Sequence, residues 1–98
     1  MATYKILYWH DIPVQVRAAD EEGRVGKQLP ARFQEAVDEA AMAAKLIDDD
    51  SYLEGFQWGE ELTRQGSADE VVAQITAELD QEYSEIDWKA TAQKLKNA

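Results

Sequence analysis

The 98-residue chain contains no cysteine, one histidine, two prolines and five glycines. Without cysteine there is no disulfide, no thiolate metal site and no cysteine nucleophile, and thiol usage gives no sign of compartment. A single imidazole, His10, excludes multi-histidine metal sites and leaves little for acid–base work; no metal or cofactor is expected. Positive charge is scarce as well, with ten basic residues against 20 acidic ones, a formal net charge of −10. Such a field repels phosphate backbones and anionic headgroups, so neither nucleic acid nor a membrane surface is an expected partner. Long apolar runs are also missing. The run Ile6 to Trp9 is stopped by His10 and Asp11, far short of a signal-peptide core or of the roughly 20 residues of a membrane span, and a cytoplasmic location is expected.

What is present is a folding sequence. A hydrophobic content of 45% is too high for a disordered polyelectrolyte despite the charge. The length fits one domain, residues 1–98, able to bury roughly two-thirds of its unfolded surface. The charge is unevenly distributed. Residues 1–30 carry four basic and four acidic side chains, whereas residues 31–87 carry 16 acidic against three basic, a net of −13. Most of that acid is expected to be solvated helix surface.

Tyr4-Lys5-Ile6-Leu7-Tyr8-Trp9 places Tyr4, Ile6 and Tyr8 on one face and Lys5, Leu7 and Trp9 on the other, the period of two of a central strand. His10-Asp11-Ile12-Pro13 supplies turn chemistry, and Val14, Val16 and Ala18 then alternate with Gln15 and Arg17, which predicts a β-hairpin. The polar stretch 20–26, with two glycines, is expected to be a loop or second turn that lengthens the second strand irregularly. Pro30 suits a first helical turn, and Phe33, Val37, Ala40, Ala44 and Ile47 follow at helical spacing, predicting a helix over about 30–47 with a close-packing alanine stripe. Glu35, Asp38 and Glu39 near its start suit the positive end of the dipole.

Asp48-Asp49-Asp50-Ser51 is expected to stop that helix, with Asp50 capping a short turn that carries Tyr52 and Leu53. Beyond Gly55, residues 56–64 read as a third strand, although Trp58 to Leu62 also fit a helix. Ser67-Ala68-Asp69-Glu70 has capping-box spacing and opens a helix carrying Val72, Ile75, Leu79, Tyr83 and Ile86; a last amphipathic segment holds Trp88, Ala92 and Leu95. The expected fold is α+β: an antiparallel sheet of two or three strands with about three helices packed mainly on one face.

Catalytic signatures are sparse. His10 and Asp11 are adjacent on an extended chain and point apart, and no nucleophile elbow surrounds Ser51, Ser67 or Ser84. Read as a calcium loop from Asp48, the acidic run puts Tyr52, Leu53 and Gly59 where a carboxylate, the glycine and the bidentate glutamate belong. The pairs Glu60-Glu61 and Asp69-Glu70 are neighbours by abundance of acid, and Gly23 and Gly26 lack the setting of a phosphate loop. The aromatics are the remaining signal. Core volume is their ordinary use, and a surface anchor is the functional one, for which Trp9 is the sharpest candidate because its face carries only Lys5 and Leu7.

Several strings together resemble a known family: Tyr8-Trp9-His10-Asp11-Ile12-Pro13-Val14-Gln15-Val16, Leu29-Pro30-Ala31-Arg32-Phe33, Ala36-Val37-Asp38, Ala40-Ala41-Met42 and Tyr52-Leu53. They are similar to the small bacterial "virulence factor" domain, which also occurs within conserved virulence factor C proteins beside an iron–sulfur-scaffold-like domain. The resemblance covers about residues 4–58; the last 40 residues share only acidic, helical character. Members often carry arginine where His10 stands, which speaks against an essential histidine. The resemblance carries no established reaction, cofactor or catalytic residue, and implies an accessory role, with contextual links to one-carbon and iron–sulfur metabolism.

The leading expectation is thus a non-catalytic interaction module with a protein partner, its contact candidates being Tyr8, Trp9, Asp11, Arg17, Arg32 and Trp58. The alternative is a small-molecule-binding subunit of an enzyme system, in which the Trp9-to-Arg17 hairpin and Arg32 hold a carboxylate or phosphate. A third reading, an acidic mimic of nucleic acid, requires carboxylates at phosphate-like spacing on one face. An exposed aromatic patch around Trp9 favours the first, and a deep pocket lined by Tyr8, Arg17 and Arg32 the second.

Overall fold

The alternation in the amino-terminal third builds an antiparallel sheet, seen in a computed structural model that describes residues 1–45 and 49–96. Strands β1 (Ala2–Trp9) and β2 (Ile12–Asp20) form the predicted hairpin through a two-residue turn at His10 and Asp11, where His10 adopts a φ of 56°. Opposite Leu7 and Tyr8 the register slips, so that Val14 is the extra residue of a bulge.

β3 (Gly23–Gln28) pairs with β2 along its full length and forms one edge of the sheet. This corrects the expected irregular loop: only Val25 is apolar and packs on the core, and the strand is held chiefly by its backbone ladder. At the other edge, residues 56–64 are strand, as favoured, but in two pieces. β4 (Phe56–Trp58) and β5 (Leu62–Arg64) both pair with β1, separated by residues 59–61. Gly59 donates its amide to the Ile6 carbonyl at 2.8 Å, and a Cβ there would lie 3.2 Å from both that oxygen and the Tyr8 ring. The sheet therefore has five strands, in the order β3-β2-β1-β4 with β5 beside the other half of β1.

Among the described residues four helices follow from the later sequence: α1 (Ala31–Ala43), α2 (Asp49–Glu54), α3 (Ala68–Glu82) and α4 (Trp88–Lys96). α1 ends earlier than the spacing suggests, at Ala43 with a cap at Ala44; Ile47 and Asp48 lie outside the described residues. Its first turn holds no acid, since Glu35 falls in the second turn where the dipole is weak. Asp50 sits inside α2 and not before it. The capping box at Ser67 forms in both directions, the serine accepting from the Glu70 amide. A second cap comes from the sheet: Asp20, at the end of β2, accepts from Ala68 N at 2.7 Å and from the amides of Glu22 and Gly23 within its own turn. These bonds to the charged form hold the Asp20 carboxyl below the usual carboxylate range, the Ala68 amide being the largest cause.

The core lies between the sheet and the helices. Val14, Val16 and Ala18 of β2 face Phe33, Ala36, Val37 and Ala40 of α1 and Val71, Val72, Ile75 and Leu79 of α3. α3 packs across β1, β2 and β3, while α4 packs on α1. No helix among the described residues is long and apolar enough to cross a membrane.

Candidate functional site

Three of the six candidate contacts, Trp9, Asp11 and Arg32, are occupied in holding the fold together. Trp9 is wholly buried (0% exposed), which corrects the expectation of a surface anchor. The corner between α2 and β4 folds over it: the indole Nε1 donates to the Tyr52 carbonyl at 2.8 Å, and Gly55 presses so close that a Cβ would sit 2.8 Å from the indole Cε2. Alternation gives the side to which Trp9 points, but a segment 43 residues away in sequence decides whether that side is covered.

Asp11 accepts from the Thr91 hydroxyl at 2.5 Å and pairs with Lys94 at 3.3 Å, fastening α4 to the hairpin turn. Arg32 donates to the carbonyl of Tyr83 and, at 2.8 Å, to that of Asp80, and it pairs with the Asp80 carboxylate at 2.7 Å. It thereby satisfies carbonyls that the end of α3 leaves without intrahelical partners. Tyr8 is half-buried; burial first, then the negative charge of Glu82, raises its phenol above the ordinary value. A pocket joining Tyr8, Arg17 and Arg32 does not form: Arg32 belongs to the helical layer, and Arg17 projects from the opposite face of the sheet.

Arg17 and Trp58 are brought together there. The Arg17 guanidinium lies over the Trp58 ring, 4.9 Å from its centroid, reaching across β1 to do so. Trp58 remains 40% exposed. Around this pair the uncovered face forms a groove of about 290 Å³, lined also by Thr3, Lys5, Ala19, Arg24 and Glu61. Lys5 and Arg24 were missed as site residues by sequence reasoning. Lys5 is legible, because it shares the phase of Leu7; Arg24 is not, because the polar, glycine-bearing sequence of β3 has the composition of a loop.

The electrostatics of this groove differ from the rest of the molecule. Lys5 and Arg17 are direct cross-strand partners, and Arg24 stands opposite Ala19, one diagonal step away. Like charges facing each other across a ladder are unfavourable. Among the described residues the ion pairs join Arg32 to Asp80, Arg64 to Glu78 and Lys94 to Asp11, so none of the three groove cations has an acidic partner. Gly26, opposite Arg17, adds no side chain to cover it. Stacked on Trp58, the guanidinium keeps its planar donors available while losing side-chain freedom in advance. Chemically, this surface can hold carboxylates or phosphates. No group of three or more histidine, cysteine or acidic side chains suited to a metal occurs among the described residues.

These features define a small α+β domain with a sheet covered on one face and a cationic, aromatic groove on the other. The chain belongs to the virulence factor family, whose sequence pattern matches residues 7–90. The match runs well beyond the amino-terminal strings that resemble the family, taking in α3 and the start of α4. Neither curated proteins nor solved structures give a match.

Proposed function

We propose that this chain is a non-catalytic, cytoplasmic interaction module of bacterial origin that docks a partner protein on the uncovered face of its sheet. The observation that carries the reading is the juxtaposition of Lys5, Arg17, Arg24 and the half-exposed Trp58 in one shallow groove, its cations without an ion-pair partner among the described residues, on a chain of net charge −10. Tryptophan and arginine are among the residue types enriched at binding hot spots. The alternative, a small carboxylate or phosphate ligand, draws on the same cations. It is favoured less, because the groove is open and its cations are spread over three strands instead of converging in an enclosed pocket.

The test is photo-crosslinking from position 58 in lysate of the source organism, with and without the paired substitutions Lys5→Glu and Arg17→Glu. The module reading expects one protein to crosslink to the parent and to be lost from the charge-reversed variant at unchanged melting temperature. The same crosslinks from both proteins would remove the groove as the docking surface.

A further inference from the structure

Resting on that reading, we infer that the partner presents a short acidic segment in extended conformation, lying across the strands with carboxylates at alternate positions. Charge complementarity is the first argument. Three cations on one face have no acidic partner among the described residues, and two of them oppose each other directly, so an anion between them relieves a repulsion already present in the fold. Long nucleic acid is disfavoured, since residues 31–87 carry a net of −13 that opposes any extended polyanion.

Geometry is the second argument. The groove runs from Arg24 on β3, over Arg17 and Ala19 on β2 and Thr3 and Lys5 on β1, to Trp58 on β4. Three strand spacings span about 14 Å, the length of roughly four extended residues. Diagonal neighbours on one face of a sheet are about 7–8 Å apart, close to the roughly 7 Å between alternate side chains of an extended peptide. An acid–x–acid segment thus matches the step between the Arg24 and Arg17 positions on the sheet, and the Arg17 guanidinium, extended over β1 toward Trp58, continues the cationic line in the same direction across the strands. One small anion reaches only one end of that step. Glu61, in the wall at the β4 and β5 side, opposes acid there and sets the direction in which the segment lies.

The probe is a synthetic octapeptide of alternating glutamate and threonine, titrated into the ¹⁵N-labelled full chain. Its glutamine counterpart, glutarate and inorganic phosphate serve as comparisons. The acidic peptide is expected to shift the amides of β2 and β3 and to bind about tenfold or more tighter than the glutamine peptide, because charge-assisted bonds are lost in the latter. Binding should weaken with added salt, fall by a similar factor in Arg17→Gln, and tighten in Glu61→Gln. Equal binding of the glutamine peptide on the same amides overturns the acidic-partner inference while the docking face stands. Phosphate or glutarate reproducing the shifts at equal affinity overturns it in favour of a small-anion site. No shift with any probe on folded protein also overturns it, and the crosslink from position 58 then judges the docking face separately.

Discussion

On the helix side of β2, Val14, Val16 and Ala18 are buried beneath α1 and α3, whereas on the other side of the same strand Arg17 stands exposed beside Lys5, Arg24 and Trp58. Both faces arise from one alternation of apolar and polar residues. They differ in what later parts of the chain do: α1 and α3 have apolar stripes to bury and cover the first face, whereas among the described residues the second is covered at its Trp9 end, by the corner between α2 and β4, and stays open around Arg17. A half-covered antiparallel sheet is ordinary when its outer face is polar. Here three cations gather on that face against one acid, Glu61, in the groove wall, in a chain with twice as many acidic as basic residues, and this concentration of the minority charge marks it out.

The contrast can be broken most severely from the covered side. Phe33 is fully buried at the centre of the helix layer, and Phe33→Ala is expected to cost about 3–5 kcal/mol by lost transfer energy and residual cavity, measurable by urea denaturation. Gly55→Ala tests the covering of Trp9. Its methyl group would meet the indole and, at 2.9 Å, the His10 ring, and overpacking against a wholly buried side chain is expected to destabilise by about 1–3 kcal/mol. If the variant instead melts with the parent, the corner over Trp9 is loose.

The caps on α3 come next. Ser67→Ala should cost about 1 kcal/mol, as removal of an N-cap does. Asp20→Asn adds a dependence on pH. A carboxyl held below its ordinary value contributes stability that is complete above the unfolded pKa of about 3.9 and is lost as pH falls through the lower folded value. The variant should therefore melt below the parent at pH 7, and the gap should close as the solution is acidified through that window.

The smallest effect sharpens the comparison from the open side. Arg17→Gln removes a cation stacked on Trp58 but also relieves the opposition to Lys5. Its stability should lie within about 0.5 kcal/mol of the parent. A larger loss would mean that the cationic face is part of the fold's own support, and its assignment as a docking surface would fail.

Much of the architecture is legible in local pattern. The hairpin, the helix beginning near Pro30 and the capping box at Ser67 all lie within a few residues of the signals that announce them, since strand alternation and N-cap chemistry act over one or two turns of chain. β3 is not legible, because an edge strand with one apolar residue is specified by its partner's ladder and not by its own side chains. The break between β4 and β5 is hidden for a related reason: β1 supplies both pairings, and Gly59 must bend against the Ile6 carbonyl and the Tyr8 ring.

The candidate site divides along the same line. Sequence alone determined that cations are scarce, that Arg17 alternates with the apolar residues of its strand while Lys5 shares the phase of Leu7 and Trp9, and that tryptophans are available as anchors. Tertiary structure alone decided which tryptophan is exposed, placing the 52–55 corner over Trp9 and leaving Trp58 open beneath Arg17. It also decided that Arg32 and Asp11 serve contacts 48 to 83 residues away. Periodicity assigns a side chain to a face, but burial and pairing depend on which distant element arrives there, and that is settled only when the helices find the sheet.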